Sequence, residues 1–192
     1  MLRFEGVTRR YGSTVALDGV SFALEPGSFT ALVGENGAGK STLLRIAATL
    51  ERPSAGKVLP EERRARIGWL GQEPGLYDEL TVRENLAFAA RLFGREGEVE
   101  QVGGAFGARL DARARTLSRG EKQRAALARA FLCGELLLLD EPTTGLDAEG
   151  ARTLGDALAQ ARGGRTLLVA THDAELVKRA DRVLRLRGGR LA

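Results

Sequence analysis

Hydrophobic and polar positions form two kinds of pattern along this chain of 192 residues. Near the N-terminus apolar residues take every second position, at Leu2 and Phe4 and again at Val20, Phe22 and Leu24. This alternation predicts β-strands with one buried face. Three later runs are almost continuously apolar, which predicts strands buried on both faces. These runs are residues 28–33, 136–139 and 166–170.

Helical patterns lie between these strands. Thr81 with Glu84 and Ser118 with Glu121 form two capping boxes, which mark helix starts, and the second helix is expected to run to about Cys133. Glycine-rich residues 94–107 predict loops with one poor helix. Further helices are predicted over 40–50, 148–161 and 174–179, and short strands over 66–70 and 183–187, with a hairpin turn at 188–189.

Strands that alternate with helices predict an α/β fold with a mostly parallel sheet. The alternating N-terminal strands add an antiparallel β appendage. Between about residues 73 and 133 the patterns are only helical or loop-like, which predicts a short helical lobe. We therefore expect a single domain over 1–192, in which about 1–72 and 134–192 form the core with its β appendage and about 73–133 form the lobe.

The first candidate for chemistry is a glycine-rich loop directly after strand 28–33. Residues 34–41 fit the P-loop pattern G-x-x-x-x-G-K-[ST], in which backbone N–H groups face the phosphates. Lys40 would neutralise the β- and γ-phosphates and Ser41 would bind Mg²⁺. The preceding strand and the following helix favour a P-loop NTPase core over an ordinary turn. The predicted ATP-binding residues of this loop are Gly34, Asn36, Gly37, Ala38, Gly39, Lys40, Ser41 and Thr42.

Two carboxylates, Asp140 and Glu141, end the apolar run 136–139. The carboxyl end of a buried strand is where ligand sites of α/β proteins lie. There Asp140 would hold Mg²⁺, through water, and Glu141 would polarise the attacking water. His172 follows the strand 166–170, which we expect to neighbour the strand that carries Asp140. A single histidine is otherwise more often a structural surface residue.

Composition narrows the class of protein. The net charge is +4, but basic residues are interleaved with acidic ones and do not alternate with aromatic residues, so no nucleic-acid partner is expected. The only cysteine, Cys133, excludes an intrachain disulfide and favours a reducing compartment. No apolar run reaches the ~20 residues of a membrane span, and the first residues lack a signal-peptide pattern. We therefore expect a cytoplasmic protein.

Together these motifs resemble the ATP-binding-cassette (ABC) ATPase family over essentially the whole chain. Residues 34–41 resemble Walker A, Gln72 the Q-loop, 136–141 Walker B, 144–147 with Asp147 the D-loop, and His172 the switch histidine. Tyr11 matches the aromatic residue that stacks on adenine, although an edge packing residue is the alternative. Residues 117–121 resemble the signature LSGGQ. They keep Ser118 and Gly120 but carry Arg119 and Glu121 where the family has glycine and glutamine.

The resemblance implies a mechanism. Two cassettes, as a homodimer or a cassette heterodimer, would close head to tail around two ATP. Each ATP would lie between one P-loop and the partner's signature residues Ser118, Arg119, Gly120 and Glu121. Glu141 and His172 would be catalytic, with His172 at the γ-phosphate, and Ser41, Gln72 and Asp140 would hold Mg²⁺.

The resemblance also implies a place of work. The chain would be the ATPase subunit of a transporter, peripheral on the inner face of the cell membrane. The loop with Leu76, Tyr77 and Leu80 would receive a short helix of an integral membrane subunit, unless these three residues belong to the core of the lobe. Residues 71–81 are similar to the small ATPase subunits of cytochrome-c-maturation haem exporters, and export is slightly favoured over import.

Other classes of nucleotide-binding protein fit less well. No N-K-x-D motif indicates a GTPase, the chain is too short for coiled-coil insertions, and it carries one cassette rather than two. A regulatory cassette without catalysis would usually lack the glutamate or the histidine, whereas Glu141 and His172 are present. A soluble ABC ATPase that acts on a nucleoprotein remains the open alternative. The cargo is not encoded in this chain.

Overall fold

The computed structural model describes residues 2–60, 67–161 and 164–192. In chain order its elements are β1 (Leu2–Tyr11), β2 (Thr14–Leu24), β3 (Phe29–Val33), α1 (Lys40–Ala47), β4 (Ala55–Leu59), β5 (Ile67–Leu70), α2 (Val82–Arg91), α3 (Val99–Ala105), α4 (Arg119–Cys133), β6 (Leu136–Asp140), α5 (Ala148–Ala161), β7 (Thr166–Ala170), α6 (Ala174–Arg179), β8 (Arg182–Arg187) and β9 (Arg190–Leu191). Single 3₁₀ turns lie at Glu96–Glu98 and Ala114–Thr116.

The central sheet has the strand order β5-β6-β7-β3-β8-β9. Its strands are parallel except for β9, which pairs antiparallel with β8 through the predicted hairpin. Strands β3, β6 and β7 are apolar at nearly every position because both faces of the sheet are covered. The carboxyl ends of parallel strands lie along one edge, so the residues that follow β3, β6 and β7 meet there.

One face of the central sheet carries α1 and the β appendage. This appendage is a three-stranded antiparallel sheet in the order β2-β1-β4. Leu2, Phe4 and Val7 of β1 point inward with the apolar residues of β2, and they pack with Leu43 and Leu44 of α1. The predicted alternation of these strands is confirmed.

Strand β4 is an element that the sequence pattern missed, since Ala55 and Gly56 read as a break in the chain. Only Val58 of this strand is buried, so it lacks a periodic apolar signal. It pairs with the edge of β1. Gly56 has φ 74°, and a Cβ atom there would lie 2.2 Å from the carbonyl oxygen of Gly6, so only glycine allows this approach.

The other face of the sheet packs against the remaining helices. Helix α4 is central, because Leu127, Phe131 and their neighbours join the apolar residues of β5, β6 and β7 in one core with α2, α3, α5 and α6. Both predicted capping boxes are present, at Thr81 before α2 and at Ser118 before α4. The limits of the lobe at about 73 and 133 stay a prediction.

Two predicted boundaries need comment. Helix α1 ends at Ala47 rather than at residue 50, because Thr49 takes a left-handed backbone conformation with φ 60° that stops the helix. The strand predicted over 66–70 is present as β5 from Ile67, and Arg66 lies outside the described residues.

Candidate active site

A cavity of about 470 Å³ opens at the edge of the central sheet where β3 and β6 end. It brings together the glycine-rich loop, Gln72 two residues after β5, and the two carboxylates at the end of the apolar run. Its lining residues are Ala16, Asn36, Gly37, Gly39, Lys40, Ser41, Thr42, Gln72, Asp140 and Glu141. Ala16 of β2 is the member of this set that sequence reasoning missed, and nothing in its local pattern marks it.

The shape of the glycine-rich loop depends on Gly39, the residue before α1. Its φ of 103° is a conformation that residues with a side chain rarely adopt, and a Cβ atom there would lie 2.4 Å from the carbonyl oxygen of Ala16. Gly39 therefore lets the chain turn sharply into the helix, beside β2. The start of α1 faces the cavity, so its free N–H groups and the positive end of the helix dipole favour an anion there.

Lys40 is the first residue of α1 and its side chain is almost fully buried. Its ammonium Nζ donates hydrogen bonds to the carbonyl oxygens of Gly34 (2.7 Å) and Glu35 (3.2 Å). These carbonyl groups offset the cost of burying the charge and hold the ammonium at the mouth of the loop. The cation is thus fixed in place before any phosphate arrives.

Asp140 ends β6 and is buried in the floor of the cavity. Burial raises the pKa of this carboxyl and the neighbouring Glu141 raises it further, while a hydrogen bond from Ser41 and the charge of Lys40 lower it. Its Oδ1 atom is buried without a hydrogen-bond partner. A buried carboxylate oxygen with no donor, close to a serine hydroxyl, is suited to a bound cation.

Glu141 has a left-handed backbone with φ 48°, which is uncommon for a residue with a side chain. Its N–H donates to the carbonyl oxygen of Ala170 (2.8 Å), so the backbone turns just where β6 leaves β7. Such a conformation costs about 1 kcal/mol or more and tends to be kept at functional sites.

His172 and Glu141 are in contact. Because β7 pairs with β6, the histidine that follows β7 reaches the glutamate, and its Nδ1 lies 2.8 Å from Oε2 of Glu141. The two atoms are not aligned as a hydrogen bond, and this Oε2 has no other partner. The rest of the imidazole is largely exposed. The predicted adjacency of the two strands is confirmed.

The residues that resemble the signature begin α4. Ser118 caps the helix: its hydroxyl accepts from the N–H of Glu121 (3.3 Å), and its own N–H donates to Oε2 of Glu121 (2.8 Å). Arg109 donates to the other oxygen of Glu121 (2.9 Å). The N–H of Ser118, followed by Arg109, lowers the pKa of Glu121 to about 2. Glu121 is therefore a carboxylate at neutral pH.

The first turns of α4 are also held against the segment after Glu141. Gln123 donates to the carbonyl oxygen of Pro142 (3.0 Å), and Arg124 donates to Asp147 (3.0 Å). The N–H of Gly150 donates to the same Asp147 oxygen and is the main cause that lowers the pKa of Asp147. Gln123 and Arg124 were missed by sequence reasoning, because their partners lie about twenty residues away along the chain.

A second cavity, of about 220 Å³, adjoins the first. Gln72, Asp140 and Glu141 line both cavities, and Arg119 and Gln123 of α4 line the second. The site that resembles the Q-loop and Walker B is therefore in contact with the start of the signature helix in the same chain.

Some predicted site residues lie away from these cavities. The hydroxyl of Tyr11 donates to Glu51, and the guanidinium of Arg9 lies 4.6 Å from the centre of the Tyr11 ring, which is otherwise about half exposed. The stacking of Tyr11 on adenine stays a prediction. Among the described residues that line the large cavity there is none from the signature segment and no Asp147.

Comparison with known proteins identifies the family of this chain. A model of the ABC transporter family matches residues 17–144, more than half of the chain. The chain belongs to the ABC transporter ATPase family. The P-loop core, the ATPase activity and ATP as its nucleotide, all expected from the motifs, are thereby confirmed for this ABC ATPase.

Several curated relatives cover nearly all of the chain. It is 44% identical over 176 residues to the cytochrome c biogenesis ATP-binding export protein CcmA of Gluconobacter oxydans, covering 90% of this chain and 81% of CcmA. It is 39% identical over 224 residues to the phosphonates import ATP-binding protein PhnC of Frankia casuarinae, covering 99% and 88% of the two proteins. It is also 37% identical to the mycobactin import ATP-binding/permease protein IrtB of Mycolicibacterium smegmatis, over a match that spans 37% of that protein.

Solved structures give the same fold. A dimeric, post-hydrolysis state of the ATP-binding cassette MJ0796 bound to ADP and Pi superposes with a TM-score of 0.93 at 25% identity, covering 100% of this chain and 96% of the cassette. In the part of the chain that the structure describes, none of the helices has the length and apolar character needed to cross a membrane.

Proposed function

We propose that this ABC ATPase closes as a homodimer around two ATP molecules and powers export through a separate membrane subunit, to which it binds from the cytoplasm. The observation that carries the proposal is the convergence of Lys40, Ser41, Asp140 and Glu141 on one cavity. CcmA, at 44% identity, is named as an export protein, which favours export, although PhnC is named as an import protein.

The glycine-rich loop binds the phosphates of ATP. The N–H groups of Gly37, Gly39 and their neighbours face the triphosphate, and Lys40 meets the β- and γ-phosphates from its place beside Gly34. Tyr11 is proposed to stack on the adenine. Tyr11 ends β1 and pairs with Thr14 of β2, the strand that supplies Ala16 to the cavity.

The residues present fit Mg²⁺. Ser41 and Asp140, with the Gln72 amide, would hold the ion, and the buried, unpartnered Oδ1 of Asp140 supports this. No cluster of three or more His, Cys, Asp or Glu side chains able to hold a metal exists within the described ranges. That agrees with Mg²⁺, which takes few protein ligands and completes its shell with phosphate oxygens and water. When bound, the ion neutralises charge on the phosphates.

Glu141 acts as the general base. Its carboxylate borders both cavities and lies beside His172. It can therefore take a proton from a water that attacks the γ-phosphate. His172 presents Nδ1 to Glu141, which leaves Nε2 to contact the γ-phosphate.

The signature acts on the ATP of the other subunit. Ser118 and the N–H of Gly120 lie at the exposed start of α4, where a helix N-terminus attracts an anion. Asp147, held by Arg124, orders the segment that links this helix to Glu141. The solved MJ0796 cassette that this chain resembles is itself dimeric.

An exposed apolar surface supports the proposal that a membrane subunit binds this chain. Tyr77 (57% exposed), Phe88 (53%) and Leu92 (71%) form what we name the α2 patch. The rings of Tyr77 and Phe88 meet edge to face with centroids 5.6 Å apart, and Phe88 and Leu92 are neighbours on one helical face. Leu76 and Leu80 are only half exposed, and Leu76 packs on the core. We propose that the patch receives a short helix of the membrane subunit.

The variant Glu141→Gln tests this function. It should bind ATP and elute as a dimer in size-exclusion chromatography with ATP, while its hydrolysis falls at least ~100-fold for loss of a general base. Glu175→Gln is the matched control, since Glu175 is an exposed glutamate that pairs with Lys178 on α6. Hydrolysis near the wild-type rate would refute the role of Glu141, and a monomer at saturating ATP would refute the homodimer.

A further inference from the structure

Glu121 of the signature forms an ion pair with Arg109, which lies outside the signature. Glu121 stands in the first turn of α4, and both of its oxygens are engaged: Oε2 accepts from the N–H of Ser118 and Oε1 accepts from Arg109. The low pKa of Glu121 means that it carries a negative charge throughout the physiological range. A negative charge lies, therefore, beside the N–H groups that are proposed to meet a phosphate.

Arg109 comes to this position from a fixed loop. The flanking backbone is tied to the start of α2, since the N–H of Arg83 donates to the carbonyl oxygen of Leu110 (2.8 Å) and the N–H of Val82 to that of Ala112 (2.9 Å). Arg83 also donates to Asp111 (3.0 Å). Arg109 thus reaches Glu121 from a loop whose next three residues are anchored to the start of α2, although its own side chain is exposed.

We propose that Arg109 is a positioning residue of the signature: it neutralises Glu121 and so allows the start of α4 to accept the triphosphate held by a partner subunit. The inference rests on the proposed composite site. A triphosphate is strongly anionic, and an unpaired carboxylate one helical turn from Ser118 would repel it. With Arg109 in place, the ion pair is close to neutral as seen by the incoming phosphates, and its carboxylate still completes the capping box.

A purely structural role is the competing explanation, in which Arg109 only fastens its loop to α4. The two roles differ in what replaces Arg109. If neutralisation matters, removal of the negative charge by Glu121→Gln should make Arg109 dispensable, because an amide oxygen can still accept from the N–H of Ser118. If fastening matters, Glu121→Gln cannot compensate for the missing arginine.

The test measures ATP-dependent dimerisation in the Glu141→Gln background, by sedimentation velocity with ATP and Mg²⁺. Arg109→Met should weaken each site about tenfold, as for one unit charge in partly solvated surroundings, and the dimer with two sites about 100-fold. Arg109→Lys should keep most of the affinity. Arg109→Met with Glu121→Gln should dimerise within about threefold of Glu121→Gln alone. The matched control is Arg115→Met, because Arg115 lies near the signature but pairs with Glu79.

Steady-state kinetics with Glu141 intact give a second measurement: Arg109→Met should raise the KM for ATP about tenfold and leave kcat within about twofold. Thermal melting of each variant shows whether it is folded. If Arg109→Met dimerises as well as its parent, or if Glu121→Gln fails to restore dimerisation in folded protein, this inference is overturned while the composite site is not. A parent that stays monomeric with ATP would refute the composite site, and the inference with it.

Discussion

Replacing Tyr77 by aspartate should release this ABC ATPase from its membrane partner while leaving the protein folded. Tyr77 is the ring of the α2 patch that projects from the loop before α2. A carboxylate placed there would be buried against an apolar helix on docking, which is costly without a partner charge. Truncation of an aromatic residue at an interface hot spot costs about 2 kcal/mol or more, which corresponds to about a 30-fold loss of affinity.

The cost to folding follows from how much of Tyr77 is buried. The residue is 57% exposed, so less than half of the ~3 kcal/mol available from burying an aromatic side chain is lost, about 1 kcal/mol. The edge contact with Phe88 contributes about 1 kcal/mol more. The backbone is held independently, because the N–H and carbonyl oxygen of Tyr77 both bond to the buried amide of Asn85. We expect the melting temperature to fall by about 4–8 °C.

The assay is the fraction of tagged subunit that sediments with membranes after expression in the organism that encodes it. Leu50→Asp is the matched control, because Leu50 has nearly the same exposure (58%) and lies near the end of α1, outside the α2 patch. Tyr77→Asp should move to the soluble fraction with ATP binding intact, and Leu50→Asp should not. Equal sedimentation of Tyr77→Asp and wild type, or equal release of both variants, would refute the assignment of the patch.

Two further predictions concern the signature. Lys40→Ala should lose most ATP affinity, whereas Ser118→Arg should bind ATP but lose hydrolysis. A mixture of the two variants should regain ATPase activity, because each heterodimer keeps one intact composite site. A rate for the mixture no higher than that of either variant alone would argue against shared sites, unless both sites must hydrolyse ATP together. The pKa of Glu121, lowered from 4.5 to about 2, means that its contribution to stability is present above pH 4.5 and is lost as the pH falls toward 2. Glu121→Gln should therefore lose less stability than the wild type as the pH falls through this window, as measured by circular dichroism. An acid-unfolding profile identical to that of the wild type would contradict this.

The chemistry of the large cavity was predictable because it is written in short, continuous segments. The glycine-rich loop needs the strand before it, the helix after it and Lys40, all within about twenty residues of chain. The two capping boxes are equally local, since Ser118 and Glu121 satisfy each other across one turn. Apolar runs predicted β3, β6 and β7, and strands with covered faces have little other choice of composition.

The order of the strands, by contrast, depends on the whole sheet. Only the pairing of β6 with β7 brings His172 to Glu141, which lie about thirty residues apart in sequence. The third strand of the β appendage could not be predicted either, because β4 buries only Val58 and is stabilised by its pairing with β1. Pairings of this kind carry no local signal, since their free energy comes from the partner strand.

The sequence alone determined the nucleotide chemistry of this ABC ATPase, because a phosphate loop and a capped helix are stabilised by interactions among neighbouring residues. The tertiary structure decided which charges and apolar groups surround that chemistry. Arg109 reaches Glu121 only because its loop is anchored to α2, and Tyr77 meets Phe88 only because Asn85 holds the preceding loop. Contacts between distant segments depend on how the packed helices and sheet place them, and so they become visible only in the folded protein.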